Sequence, residues 1–61
     1  MNTATVIDMY TPSEAGAILR LDDRALLDAV NRGTLPAYDL GGSIRFRVSD
    51  VTELARDLVA A

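Results

Sequence analysis

The chain predicts a mostly α-helical fold that carries one small β-hairpin. Three observations lead there. A helix-start signature stands at Thr11-Pro12-Ser13-Glu14, a Gly41-Gly42 pair separates two short alternating runs, and apolar residues recur at helical spacing on both sides of that pair. Three helices are expected over about 12–20, 23–32 and 50–59, with a two-stranded hairpin over about 37–40 and 43–47. Residues 10–61 form one domain on this reading, and residues 1–9 form a flexible lead-in.

Met1 to Met9 show no clear period, although Val6, Ile7 and Met9 have the character of a short extended segment against the core. The first helix begins where the Thr11 hydroxyl can cap the N3 amide, Pro12 occupies N1, where no amide is needed, and Glu14 reaches back. Ala15, Ile18 and Leu19 then make a buried stripe and Arg20 falls on the polar side. Leu21-Asp22 forms a turn, with Asp22 as a second N-cap, and Leu26, Ala29 and Val30 share one face of the helix that follows. Gly33 follows Arg32 as a C′ residue does, and Leu35-Pro36 stops further winding. Ala37–Leu40 and Ser43–Arg47 flank the glycine pair, which tolerates the positive φ angles of a tight hairpin turn. Ser49 caps the third helix, Asp50 lies in its first turn, and Val51, Leu54, Ala55 and Leu58 at i, i+3, i+4 and i+7 close the core. Two short, tightly joined helices followed by a hairpin make a winged helix-turn-helix. Neither a repeat, a low-complexity segment nor a linker divides the chain.

With 61 residues, a domain buries only about 60% of the surface its unfolded chain exposes. The absence of Cys and His excludes a zinc site of the usual ligands, a disulfide frame and His- or Cys-based catalysis. The paired carboxylates Asp22 and Asp23 fall at a helix cap rather than in a cleft, so neither an enzyme nor a cofactor is expected. No apolar run approaches the roughly 18 residues of a membrane span, and M-N-T-A-T-V-I-D lacks the basic start of a signal peptide. The expected location is cytoplasmic, with no membrane partner.

Nine acids face six bases, and the net charge of −3 has the wrong sign for gripping phosphate over a whole surface. The distribution softens this. Arg20, Arg24, Arg32, Arg45 and Arg47 fall between positions 20 and 47 against Asp22, Asp23, Asp28 and Asp39, which leaves that region slightly cationic and the rest acidic. Every base is Arg, which suits planar bidentate contacts to guanine or phosphate and is equally accounted for by genome base composition.

The order T-P-S-E-A, then L-D-D-R-A-L-L-D-A-V-N-R-G-T-L-P-A, then G-G-S-I-R-F-R and S-D-V resembles the excisionase-like, MerR-related winged helix-turn-helix domains over about Tyr10 to Leu58. That resemblance implies a small sequence-specific DNA-binding protein. Its family includes transcription regulators and phage recombination directionality factors, which bend attachment-site DNA and favour excision by an integrase. It further implies that the second helix enters the major groove of double-stranded DNA and that the hairpin touches the minor groove or adjacent phosphates. A phage integrase and further copies of the chain on adjacent sites are the implied partners.

On the outward side of helix two, Arg24, Leu27, Asp28 and Asn31 are candidates to face bases, Arg24 foremost for a base or phosphate; Arg32 is a candidate for phosphate, and Arg20 is a further DNA-binding candidate. Asn31 either pairs with adenine or a backbone oxygen or is simply solvated. In the hairpin, a period of two places Arg45 and Arg47 on one face and Ile44 and Phe46 on the other, which also describes an ordinary half-exposed strand. Gly41 and Gly42 permit close backbone approach to the sugar-phosphate chain, although the turn alone accounts for them, and Gly42 and Ser43 are DNA-binding candidates. The hairpin arginines and the outer flank of helix two are expected to form one continuous cationic footprint. Asp23, Asp28, Asp39 and Ser43 stand where the family commonly has a basic or neutral polar residue, so single-site affinity is expected to be low and cooperative binding to offset it. A second reading turns the same scaffold toward a protein, with Leu27 either a partly exposed anchor or half-buried against the hairpin.

Overall fold

In the computed structural model, which describes residues 9–60, the capping signature at Thr11 starts helix α1 (Pro12–Leu19). The Thr11 N–H donates to Glu14 Oε1 at 2.9 Å and the Glu14 N–H donates to Thr11 Oγ1 at 3.1 Å, a reciprocal box that satisfies two amides the helix cannot. The helix ends at Leu19, and Arg20 takes the left-handed conformation at φ 58°. The Arg20 and Leu21 amides both donate to the Gly16 carbonyl, Leu21 at 2.9 Å. Gly16 is buried, and a Cβ there would lie 3.0 Å from the Leu21 carbonyl oxygen. Its missing side chain lets the turn fold back closely.

Helix α2 (Asp23–Arg32) follows at once, capped by Asp22, whose Oδ1 accepts from the Ala25 N–H at 2.8 Å. Its end is a Schellman motif: Gly33 at φ 83°, the Gly33 N–H donating to Val30 O at 3.1 Å, and the Thr34 N–H to Ala29 O at 3.0 Å. Leu35 enters the core two residues later and is only 1% exposed.

Strands β2 (Tyr38–Leu40) and β3 (Ser43–Arg47) pair antiparallel, with Tyr38 opposite Arg45 and Leu40 opposite Ser43. Gly41 and Gly42 have φ of 66° and 92°, as a two-residue type I′ turn requires, and Asp39 Oδ1 accepts from the Gly42 N–H at 2.7 Å. Strand β1 (Met9–Tyr10) adds to the other edge of β3, with Met9 opposite Arg47 and Tyr10 opposite Phe46, so the sheet order is β1-β3-β2. The expected two-stranded hairpin is thus the larger part of a three-stranded sheet. Two residues are too few for a periodic signal, which is why Met9 fell among the lead-in residues; the remaining eight residues of that expected lead-in lie outside the described ones.

Helix α3 (Val48–Ala60) leaves β3 with no intervening residue. The expected start near residue 50 is therefore two residues late, and Ser49 sits inside the first turn instead of capping it. Asp50 shares that turn, where a carboxylate interacts favourably with the helix dipole.

Ala15, Leu19, Leu26, Leu35, Phe46 and Val51 form the core, with Tyr10, Leu21, Ala29, Val30, Leu54 and Ala55 packed around it. Two expected core members are not in it. Ile18 is 45% exposed and Leu58 is also exposed, because the last turns of α1 and α3 meet in a shallow surface groove beyond the reach of the sheet.

Leu35→Ala removes the side chain that joins both helices of the motif to the sheet, and should cost about 2–5 kcal/mol. A domain of this length is expected to hold only about 3–9 kcal/mol in total, so urea denaturation followed by circular dichroism should find the variant's midpoint lowered by a large fraction of the parent's value. Val59→Ala, at an exposed site, should stay within about 0.5 kcal/mol of the parent.

Candidate nucleic-acid interface

Helix α2 turns Leu26 and the flanks of Ala29 and Val30 inward, which by 3.6-residue geometry turns Arg24, Leu27, Asp28 and Asn31 outward. All four line one shallow surface together with Asp22 and Ala25. Leu27 is 60% exposed where its neighbour Leu26 is buried, so of the two expectations for Leu27 the exposed one describes the chain. Asp28 does not stand alone: its Oδ2 lies 3.0 Å from Arg32 Nη2, one turn on, with both side chains largely exposed. Such a pair adds only about 0.3–0.5 kcal/mol, but it places a cation beside the carboxylate that most opposed phosphate. Arg20 and Arg24 make no ion pair among the described residues.

The hairpin has two unlike faces. Ile44 and Phe46 look toward α2 and line an apolar groove with Leu26, Leu27, Val30 and Ala37, edged by Pro12 and Asp23. Arg45 and Arg47 share the opposite face with Tyr38. Arg47 Nε donates to Asp50 Oδ2 at 3.1 Å, and its guanidinium carbon lies 5.3 Å from the Tyr38 ring centre. The hydrogen bond to Asp50, then the charge of that carboxylate, raises Arg47 above the usual arginine value, so the group is a fixed cation already engaged. Arg45 is half-buried, and its Nη1 donates to the Ile44 carbonyl at 2.8 Å; no carboxylate pairs with it among the described residues. Gly42 and Ser43 stand exposed at the tip of the ribbon.

The structure therefore brings Arg24, Leu27, Asp28 and Asn31 together, leaves Arg32 joined to them through Asp28 but lining a separate groove with Leu54 and Leu58, and sets Arg45 and Arg47 on the ribbon face turned away from α2. The expected single cationic footprint is divided by an apolar strip running from Leu27 to Ile44, the latter 43% exposed. Alternation puts Ile44 and Phe46 on one strand face, and of the two only Phe46 is buried. The strip's only sequence signal was Leu27 standing beside Leu26, since one helix face cannot bury both. Tyr38 also went unnoticed, although a period of two with a Gly-Gly turn puts it directly across from Arg45.

Two closely joined helices, the second with a polar-and-apolar outer face, and a hairpin leading into a third helix coincide with a match of the helix-turn-helix domain family to residues 9–58. The chain belongs to the helix-turn-helix domain family. This is a family of DNA-binding domains rather than of enzymes, and it includes excisionase-like proteins. No curated protein and no solved structure matches the chain. No helix among the described residues is long and apolar enough to cross a membrane, and no group of acidic side chains there could hold a metal ion.

Within this helix-turn-helix, Arg20 occupies a backbone position that glycine usually fills. Arg20→Gly relieves left-handed strain at the cost of a floppier unfolded chain, and should raise stability by about 0.5–1 kcal/mol in thermal denaturation.

Proposed function

We propose that this domain binds double-stranded DNA sequence-specifically, with α2 in the major groove and the hairpin tip against the neighbouring backbone. The observation that carries the reading is the outer face of α2, where Arg24, Leu27 and Asn31 project at helical spacing in a chain of a DNA-binding family. Arg24 takes a base or phosphate, Asn31 an adenine edge, Arg20 and Arg32 the phosphates on either side, and Asp28 remains with Arg32. Gly42, Ser43 and Arg45 contact the flanking backbone. Arg47 contributes charge from its seat beside Asp50. With carboxylates in surplus, one copy binds weakly, and copies on adjacent sites offset this.

The finer role is that of a phage excisionase, a recombination directionality factor that binds and bends DNA cooperatively beside an integrase. Its support is the sequence resemblance, through R-G-T-L-P-A and the G-G-S-I-R-F-R hairpin. Stimulation of excisive recombination by an integrase in a purified reaction favours this role; repression of a promoter without such stimulation assigns the domain to transcription regulation. A protein-interaction module is the second reading, favoured by the exposed Leu27–Ile44 strip and the net charge of −3.

Titration of duplex DNA at two salt concentrations tests the main reading. Affinity should fall steeply with salt, and Arg24→Ala and Arg45→Ala should each weaken binding by about tenfold. A phosphate-contacting arginine, once removed, should lower the salt slope by about one. Absence of any complex at low salt refutes DNA binding, and unchanged affinity in both variants refutes the assigned face.

A further inference from the structure

We infer that Leu27 reads the 5-methyl group of thymine on the floor of the major groove, so that the domain demands thymine at one fixed position of its site. This inference rests on the reading that α2 enters the groove. Leu27 has no part in the core, a task Leu26 performs, and its 60% exposure sets an apolar side chain at the middle of the outer face of α2. Arg24 lies one turn before it and Asn31 one turn after, on the same shallow surface. With its side chains a helix is about 10–12 Å across, which fits the roughly 12 Å width of the major groove. An apolar centre with the Arg24 cation one turn before it and the Asn31 amide one turn after it complements a groove that has phosphates on its walls and base edges on its floor.

A leucine offers neither a donor nor an acceptor. Against guanine, adenine or cytosine edges it would take polar atoms out of water without replacing their hydrogen bonds, whereas the thymine methyl is the one apolar feature a major groove presents. The neighbouring Asp28 carboxylate is drawn toward Arg32 at 3.0 Å and Asp22 caps the helix, so Asp23, at the edge of the groove, is the one carboxylate near Leu27 whose side chain has no partner among the described residues. On the hairpin side Leu27 continues into the groove with Leu26, Val30 and Ile44, which has Asp23 at its edge, so a methyl group lodged there has apolar neighbours.

The full chain is used to select duplexes from a randomised pool, and the enriched duplex is remade with deoxyuridine at each thymine in turn, a change that removes only the methyl group. One such substitution should weaken binding about fourfold, the worth of one buried methyl group, while the others change it little. Leu27→Ala, checked for folding by circular dichroism, should bind the thymine and deoxyuridine duplexes alike, and Leu27→Met, which keeps an apolar tip, should retain the difference. Enrichment with no deoxyuridine effect at any position overturns the inference and leaves DNA binding standing. A Leu27→Ala protein that keeps the fourfold difference also overturns it. Failure of the pool to enrich removes the DNA reading itself. If Leu27→Ala then weakens self-association in sedimentation, the strip belongs to a second copy of the chain.

Discussion

One carbonyl oxygen holds the two halves of this domain in register. Ala29 O accepts from the Thr34 N–H at 3.0 Å, from the Thr34 hydroxyl at 3.0 Å and from the Leu35 N–H at 3.3 Å, immediately after Gly33 has reversed the backbone. Those bonds end α2 and aim Leu35 into the core in the same few residues. Everything beyond, from Pro36 through the hairpin to α3, starts from the direction set there. Past this reversal the ribbon packs on α1 and α3, and α2 meets it only across the apolar groove lined by Leu27 and Ile44.

Net charge is a poor guide to what this surface can meet, because the carboxylates have local work. Asp22 caps α2, Asp39 closes the hairpin turn, Asp28 pairs with Arg32, and Asp50 with Arg47. Asp22, Asp39 and Asp50 each accept from a neighbouring N–H and Asp28 lies in an ion pair, so each of these charges has a local partner. Asp23 is the exception on the candidate face, standing at the edge of the apolar groove. The cations without carboxylate partners among the described residues include Arg20, Arg24 and Arg45, and these are the side chains best able to answer a negatively charged ligand.

Features encoded over three to five residues were legible in the sequence. The Thr11 box, the Asp22 cap, the Gly33 termination and the Gly-Gly turn each depend on backbone chemistry between near neighbours, and the two helices of the motif fall within a residue of their expected bounds. Features decided across the fold were not. Ile18 and Leu58 have helical spacing proper to a core, yet spacing cannot say that the sheet stops short of them. Strand β1 depends on a partner 36 or more residues away in sequence. Alternation correctly separated Arg45 and Arg47 from Ile44 and Phe46, but which of the two faces looks toward α2 is set by the Leu35 reversal and has no local signature.

The direct passage from β3 into α3 removes the place where a hinge would sit. Arg47 ends the strand, Val48 begins the helix, and the Arg47–Asp50 bond spans the seam. A tug on the ribbon tip is thus delivered to the last helix without slack, as along a lever. Orientation of the ribbon is thereby tied to that of α3, and a partner that grips one of them fixes the direction of the other.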